Sequence, residues 1–360
     1  MTKRLSLLAL LLATSLHAQS ALRTRNVVLV VTDGLRWQDV FTGADSSILF
    51  GQPQAMGDTA ATRRTYWRAS PNERRAALMP FLWGTVARDG QIFGNKTKGS
   101  SAQVTNGLKF SYPGYNEMLT GAPDPRIRSN SYGRNPNATV FDWLNARDPF
   151  AGRVEAFGTW STFNDIFDRE RATFPVHSGW DPPISPPRTG SDSTINRMYR
   201  TSYQEWHDVA WDALMQAAVL RDVRASKPRV LFVGYGETDE WAHAGRYDNV
   251  LSSAHAVDAF VAELWNTLQS MPEYRGSTTM IVTTDHGRGS RGREWRDHGE
   301  KVDGAEDIWI AVIGPDTPAL GERTNAERVT QSQIAGTLAA LLGERYVPAA
   351  APPIAAVVRK

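Results

Sequence analysis

The chain contains no cysteine. This absence excludes disulfide bonds, thiolate metal sites, iron–sulfur clusters, cysteine nucleophiles and a lipid-modified N-terminal cysteine. Any metal ion that the protein binds must therefore be held by histidine nitrogen or by carboxylate and hydroxyl oxygen. The length of 360 residues is sufficient for a large buried core.

The chain also lacks an excess of charge of either sign, because 40 Lys and Arg residues are balanced by 38 Asp and Glu residues. This balance excludes nucleic-acid binding that depends on bulk positive charge. Hydrophobic residues make up 41% and charged residues 22% of the chain. That composition is typical of a globular protein and excludes a wholly disordered or coiled-coil chain.

No apolar run is long enough to span a bilayer, which takes about 20 residues. The chain begins with MTKRLSLLALLLATSLHAQSA, in which two basic residues precede a short apolar stretch and then small side chains. This order is typical of a secretory signal peptide, and we place its end after Ala18. An uncleaved anchor is the alternative. We expect the mature protein, residues 19–360, to have no membrane span and to be periplasmic or secreted.

Continuous runs of β-branched and apolar residues recur at residues 26–32, 153–157, 229–233, 278–283 and 307–313. Such runs suit strands that are covered on both faces of a parallel sheet. Segments with apolar residues at helical spacing alternate with them, at residues 78–88, 140–146, 203–224, 249–270 and 333–342. The alternation predicts an α/β fold with a doubly wound, mainly parallel central sheet and helices on both faces.

Residues 161–200 depart from this alternation, because they are polar and rich in proline. We interpret them as an insertion within the fold and not as a second domain. Residues 19–360 are therefore predicted to form a single domain.

Acidic residues and histidines follow three of the predicted strands at the points where those strands end. The set consists of Asp33 after the first strand, Asp239 with His243, Asp285 with His286, and His298 in the loop beyond. Ligands bind beyond the carboxyl ends of the strands in an open α/β sheet. Three separate strands are thus predicted to deliver carboxylates to one edge of the sheet.

Carboxylate and imidazole groups without sulfur suit Zn²⁺ or Mn²⁺, and suit Ca²⁺ less well. Asp239 and His243 are four residues apart, so that on a helix they share one face and can bind one ion. Each feature alone has a structural alternative: Asp33 can cap a helix, and His298 can be a solvent-exposed loop residue. Their combination at three strand ends predicts two clusters and two divalent ions.

The segment FSYPGYNEMLTG supplies a candidate nucleophile. Pro113 favours the start of a helix and Gly121 its end, which places Ser111 just before a helix N-terminus. The positive end of a helix favours an alkoxide and binds a phosphate-like anion, and metal coordination would activate the hydroxyl group. Capping of the helix is the structural alternative for Ser111.

Four segments resemble, in the same order, the motifs of the alkaline phosphatase superfamily, nearest its nucleotide pyrophosphatase/phosphodiesterase branch. They are VVTDGLRW, FSYPGYNEMLTG, ETDEWAHAGRYD and TTDHGRG, with RDHG just beyond the last. The resemblance implies an alkaline phosphatase-like catalytic domain whose substrate is a small phosphate ester. It also implies that Ser111 attacks phosphorus and that water then hydrolyses the phosphoseryl intermediate.

The resemblance further implies how the ligands divide between the two ions. One ion would be bound by Asp33, Asp285, His286 and the Ser111 oxygen, and the other by Asp239, His243 and His298. We expect Zn²⁺, with Mn²⁺ as the alternative. Two dications outweigh three carboxylates, so the site would attract an anionic ester.

Several alternatives stay open at this stage, among them the choice between phosphate monoesters and diesters. A phosphotransferase or phosphomutase would pass the phosphoryl group to an alcohol, and a non-catalytic binding protein would keep the ligands without turnover. Sulfate esters are disfavoured, because the residues after Ser111 lack the arginine of the sulfatase motif. Asn130 is the nearest match to the asparagine with which the family holds a phosphate oxygen, and we do not assign it that role.

Overall fold

The computed structural model describes residues 21–359, so the predicted signal peptide at residues 1–18 lies outside the described residues. Within this range the strands are β1 (Asn26–Thr32), β2 (Gln91–Phe93), β3 (Ala102–Gln103), β4 (Val154–Gly158), β5 (Val176–Ser178), β6 (Val230–Tyr235), β7 (Thr278–Thr284), β8 (Asp307–Ile308), β9 (Ile310–Ile313), β10 (Gly321–Glu322) and β11 (Val329–Thr330).

The larger sheet has eight strands in the order β10-β2-β9-β7-β1-β6-β4-β5. Near its middle, β1 pairs in parallel with β6 on one side and with β7 on the other. The parallel part continues through β4 to β5, whereas β9 runs antiparallel to both β7 and β2. The predicted α/β fold with a mainly parallel central sheet is confirmed.

The helices between these strands are α1 (Trp37–Thr42), α2 (Ser46–Gly51), α3 (Thr59–Tyr66), α4 (Pro71–Leu78), α5 (Ala87–Asp89), α6 (Ser111–Thr120), α7 (Val140–Asn145), α8 (Phe163–Ile166), α9 (Gly190–Thr201), α10 (Asp212–Ala225), α11 (Glu237–His243), α12 (Tyr247–Ser270) and α13 (Gln333–Leu341). Apolar residues of α10 and α12 pack in one hydrophobic core, and those of α6, α7 and α13 pack in another.

The central strand β1 shows that these two cores lie on opposite faces of the sheet. Val28 and Val30 pack in the core that contains α12, while Leu29 and Val31 pack in the core that contains α6. Successive side chains of a strand point to opposite faces. Both faces are therefore covered, which explains the continuous apolar run from Val27 to Val31 and confirms the doubly wound arrangement.

The run at residues 307–313 is predicted as one strand, and this prediction is wrong. Its first part, β8, belongs to a three-stranded sheet in the order β11-β3-β8, and its second part, β9, belongs to the central sheet. Trp309 separates the two parts and is fully buried, with its indole N–H donating to the carbonyl oxygen of Leu35 at 3.1 Å. Both parts are buried, so the sequence pattern does not reveal the break.

The predicted helices at residues 140–146, 249–270 and 333–342 agree with α7, α12 and α13 to within two residues at each end. The prediction at residues 203–224 is wrong for residues 203–211, because α10 begins only at Asp212. In the preceding loop Trp206 and Trp211 pack against Trp241, with ring centroids 4.7 and 6.4 Å from that of Trp241. The apolar spacing of this loop thus reflects aromatic packing and not a helix.

The segment at residues 78–88 is also irregular, because α4 ends at Leu78 and a π-helical turn at Leu82–Val86 precedes α5. The Pro-rich residues 161–200 contain α8, β5 and most of α9, and β5 extends the edge of the central sheet beside β4.

Among the helices of residues 21–359, none is both long enough and apolar enough to cross a membrane.

Candidate active site

Three neighbouring parallel strands bring the predicted ligands together at the carboxyl edge of the sheet. Asp33 directly follows β1, α11 follows β6, and Asp285 directly follows β7. Since β1 pairs with both β6 and β7, these three strand ends are adjacent. A loop after the β7 end adds His298, so all of the predicted metal ligands lie at one edge.

The first cluster contains Asp239, His243 and His298. Asp239 and His243 lie one turn apart on α11, and Asp239 Oδ2 is 3.1 Å from His243 Nε2. His298 Nε2 lies 2.9 Å from His243 Nε2. One ligand atom from each of the three residues lies within 4.8 Å of the others, which is close enough for all three to hold one ion.

The second cluster is arranged around the buried imidazole of His286. Its Nε2 atom lies 3.2 Å from Asp33 Oδ1, 3.5 Å from Asp285 Oδ2 and 3.8 Å from Asp239 Oδ1. Asp239 therefore lies beside both clusters, because its Oδ1 atom is 3.8 Å from His286 Nε2 and 3.7 Å from His298 Nε2. The sequence motifs assign Asp239 to one cluster only, whereas the geometry places it between the two.

One ligand atom in these clusters has unsatisfied bonding capacity. Asp285 Oδ2 is buried and accepts no hydrogen bond from the described residues. A buried polar atom without a partner costs about 1–3 kcal/mol, which coordination to a cation removes. Carboxylate oxygen and imidazole Nε2 are ligands that Zn²⁺ accepts in protein sites. The residues present thus fit the two divalent ions that the sequence predicts.

The electrostatic field at this edge favours positive charge. Burial raises the pKa of Asp285 to about 7, and the negative charge of Asp33 contributes to the shift. Burial alone would lower the pKa of His286, but the carboxylates of Asp285 and Asp33 outweigh it and raise that pKa to about 9. Positive charge is therefore stabilised where the ligand atoms converge.

The guanidinium group of Arg288 lies beneath the clusters and is 1% exposed. Its Nε donates to the carbonyl oxygen of Gly34 at 3.0 Å, its Nη1 donates to that of Arg296 at 2.6 Å, and its Nη2 contacts Asp239 Oδ1. Burial lowers the pKa of Arg288 to about 9. Arg288 stands within the TTDHGRG segment close to Asp285 and His286, but the motif does not mark it as a site residue.

Ser111 lies at the second cluster and is the first residue of α6, two residues earlier than the helix start suggested by Pro113. Its Oγ atom is 3.3 Å from His286 Nε2 and 3.5 Å from Asp33 Oδ1. The hydroxyl group therefore sits at the positive end of a ten-residue helix and beside the ligands of one cluster. The structure brings it together with the predicted metal ligands.

Gly114 sets the distance between α6 and the end of β7. A Cβ atom added at this position would lie 2.5 Å from the backbone oxygen of Asp285, closer than real Cβ contacts allow. The absence of a side chain lets the helix approach the strand end directly, and this contact positions Ser111 three residues earlier. The requirement for glycine thus comes from the close approach of two backbones.

A cavity of about 260 Å³ opens in front of the two clusters. Its lining includes three residues from loops and one from α11 that the sequence motifs do not mark as site residues: Asn130, Trp160, Asp208 and Glu240. Asn130 Oδ1 accepts a hydrogen bond from the backbone N–H of Tyr112 at 3.0 Å, and Trp160 Nε1 donates to Asp208 Oδ2 at 3.0 Å. Burial raises the pKa of Glu240 to about 7, and the charge of Asp208 contributes.

A family model described as type I phosphodiesterase / nucleotide pyrophosphatase matches residues 54–294, about two thirds of the chain. The matched region contains Ser111 and four of the predicted ligands, while Asp33 and His298 lie outside it. No curated protein shows significant similarity to the chain.

Solved structures with the same fold belong to proteins that are named for different reactions. Wild-type alkaline phosphatase PafA has a TM-score of 0.61 and 10% identity, over 94% of this chain and 100% of that chain. An inactive variant of murine ectonucleotide pyrophosphatase/phosphodiesterase 5 in complex with AMP has a TM-score of 0.52 and 13% identity, over 90% and 96%. The 2-O GAG sulfatase BT1596 has a TM-score of 0.53 and 14% identity, over 92% and 72%. At these identities the likeness shows the fold alone.

The helix contact at Gly114 can be tested by Gly114→Ala. The added methyl group must displace α6 from Asp285, so we expect a loss of about 1–3 kcal/mol in the free energy of unfolding, as for other overpacked sites. Urea denaturation measures this loss. Gly190→Ala is the matched control, because no atom lies within 4 Å of a Cβ at that helical position. Equal stability of the two variants would contradict the proposed close approach.

Two lines of observation now agree, namely the family model over most of the chain and the phosphatase-like fold that gathers the predicted ligands around a serine hydroxyl group. The chain belongs to the type I phosphodiesterase/nucleotide pyrophosphatase family of the alkaline phosphatase superfamily, a family of phosphoester hydrolases.

Proposed function

We propose that the protein is an exported phosphoric ester hydrolase that uses two divalent metal ions and a covalent phosphoseryl intermediate on Ser111. The observation that carries this proposal is the position of Ser111 Oγ, 3.3 Å from His286 Nε2 and 3.5 Å from Asp33 Oδ1, at a helix N-terminus. A hydroxyl group in this position has the positive end of a helix dipole and a set of metal ligands beside it.

The residues that would hold the ions are those that the motifs indicate. Asp33, Asp285, His286 and Ser111 Oγ would hold one ion, and Asp239, His243 and His298 the other. We expect Zn²⁺, with Mn²⁺ as the alternative. When bound, such ions lower the pKa of a coordinated hydroxyl group and neutralise charge on the phosphoryl oxygens.

The protein side chains then carry the two steps of the reaction. In the first, the Ser111 hydroxyl group loses its proton to water in the cavity, its oxygen forms a bond to phosphorus, and the bond from phosphorus to the ester oxygen breaks. The departing alcohol takes up a proton from water. In the second, water attacks the phosphoserine, the Ser111 oxygen leaves and is protonated again, and phosphate or a phosphomonoester is released.

Asn130 is suited to orient the phosphoryl group during these steps. Its Oδ1 atom accepts the backbone N–H of Tyr112, which fixes the side-chain amide at the wall of the cavity. The amide N–H₂ group can then donate to a phosphoryl oxygen, while the N-terminus of α6 stabilises the same negative charge.

The cavity wall also favours a particular kind of ester. Its lining contains the carboxylates of Asp208 and Glu240 and the indole of Trp160, but no Lys or Arg. A volume of about 260 Å³ suits a small substituent. We infer that the group beyond the phosphate is small and carries no further negative charge, and that a cationic amine or quaternary ammonium group is preferred.

We include export in the proposal because the first 18 residues have the order of a signal peptide. Fractionation of cells that express the full chain, followed by intact mass measurement, is expected to find a protein shortened at its N-terminus outside the cytoplasm. A full-length product retained in the cytoplasm would contradict export.

The mechanism is tested by Ser111→Ala with p-nitrophenyl phosphate and bis-p-nitrophenyl phosphate as substrates. Loss of the nucleophile is expected to lower kcat on the order of 10³-fold or more, and chelation is expected to abolish hydrolysis by the unmodified enzyme. Ser131→Ala, at an exposed position, is the control and should retain full activity. Hydrolysis that survives both chelation and Ser111→Ala would contradict the mechanism. Bound metal without turnover on a broad panel of esters would favour the non-catalytic alternative.

The substrate preference is tested by Glu240→Gln. We expect kcat/KM for p-nitrophenyl phosphorylcholine to fall about 10-fold while that for p-nitrophenyl phosphate falls less, because only the first has a cation to pair with the carboxylate. Glu205→Gln is the control on the neighbouring loop, where the side chain is exposed and lies outside the cavity lining. Equal changes with both substrates would show that Glu240 does not recognise the cation.

A further inference from the structure

A second group of metal-ligating side chains lies on a different part of the sheet. Glu155 is on β4, His177 is on the edge strand β5, and Asp222 is on α10, which packs against β4. His177 is the register partner of Phe157, so it points to the same face of the sheet as Glu155. One ligand atom from each of the three residues lies within 4.8 Å of the others.

Two of these residues contain buried atoms without a partner. Glu155 is 6% exposed, and its Oε2 atom forms no hydrogen bond. His177 Nε2 is likewise buried and unpaired, although the ring stacks on Phe157 with centroids 4.5 Å apart. Glu155 Oε2 and His177 Nε2 do not bond to each other. A single cation bound between them would give both atoms a partner.

The guanidinium group of Arg221 is the counter-ion of Asp222 but leaves Glu155 Oε2 without a partner. Arg221 is held by Asp192, to which its Nε and Nη2 donate at 2.9 and 3.1 Å, and it also contacts Asp222. It makes no hydrogen bond to Glu155. Arg188 lines the same pocket, and only its backbone N–H is bonded, to Asp192 Oδ2 at 2.8 Å. The pocket lining contains two carboxylates and two guanidinium groups, and Glu155 is the carboxylate that has no guanidinium partner.

The protonation of the group also suits a metal site. Burial lowers the pKa of His177 to about 4, so its imidazole is neutral at pH 7 and has a free lone pair. Burial raises the pKa of Glu155 to about 8, and the charge of Asp222 contributes. A dication would displace the proton from Glu155 and become its counter-ion.

Access and space are provided by the Pro-rich segment. A pocket of about 230 Å³ adjoins the three residues and is walled by Pro183, Ile184, Ser185 and Pro186. This volume holds an ion together with water ligands. Ligand atoms of tetrahedral Zn²⁺ lie about 2.0–2.2 Å from the metal, so small side-chain rotations are enough to close the site.

We propose that Glu155, His177 and Asp222 form a third divalent cation site, separate from the active site and selective for Zn²⁺ or a similar transition ion. One imidazole with two carboxylates matches the preferences of Zn²⁺ better than those of Ca²⁺ or Mg²⁺. The ion would tie β4, the edge strand β5 and α10 together. Its role is structural, because the group faces the Pro-rich segment and contributes nothing to the active-site cavity.

The test measures bound zinc in four versions of the mature chain: the unmodified protein, Glu155→Gln/His177→Gln, Asp239→Asn/His243→Gln, and the combination of all four substitutions. Each is stripped with chelator, dialysed against micromolar zinc chloride and analysed by inductively coupled plasma mass spectrometry. We expect the Glu155/His177 variant to bind one zinc ion fewer than the unmodified protein and to keep its hydrolysis of p-nitrophenyl phosphate.

The active-site variant makes the two kinds of site distinguishable. We expect the Asp239→Asn/His243→Gln variant to lose hydrolysis but to bind one zinc ion more than the combined variant. We also expect zinc to raise the Tm of this variant and not that of the combined variant. Equal zinc content with and without the Glu155 and His177 substitutions would overturn the proposal. If circular dichroism shows that the Glu155→Gln/His177→Gln variant does not fold, Glu155→Gln alone replaces it, because glutamine mimics the protonated carboxyl group. Unchanged zinc content in the Glu155→Gln variant would also overturn the proposal.

Discussion

The crowding of three carboxylates at one sheet edge is the constraint on which the site depends. Parallel pairing of β1 with β6 and β7 places Asp33, Asp239 and Asp285 together, and burial prevents water from screening their repulsion. Such an arrangement is stable only with positive charge among the carboxylates. The raised pKa of His286 is a consequence of this crowding. Arg288 supplies one positive charge at Asp239, whereas Asp285 Oδ2 has no hydrogen-bond partner.

The frame that carries these groups is predictable from the sequence. The strand β1 is buried at every position because both of its faces are covered, and the same holds for β6 and β7. Once parallel strands are recognised, their carboxyl ends must lie at one edge, so residues far apart in the chain are predicted to be neighbours. Asp33 and Asp285 could be placed in this way, and the spacing of Asp239 and His243 placed both on one helical face.

The remaining parts of the site depend on tertiary packing that leaves no local pattern. Asn130, Trp160 and Asp208 reach the cavity because loops fold back over the sheet edge, and loop paths are not encoded by periodicity. The loop before α10 resembles a helix because its tryptophans pack on Trp241, and the run around Trp309 resembles one strand because both halves are buried. Segments whose burial does not follow the period of a helix or a strand are therefore the hardest to predict from the sequence.

The position of Asp239 between the two clusters has a consequence for how ions would load. Its Oδ2 atom lies beside His243, and its Oδ1 atom lies 3.8 Å from His286 Nε2 and 3.7 Å from His298 Nε2. Under the proposed function Asp239 would hold the ion of the first cluster and lie next to the second cluster, so filling one position would alter the charge that the other ion meets. Occupancy would then be cooperative, and titration with metal would yield interdependent affinities instead of two separate ones.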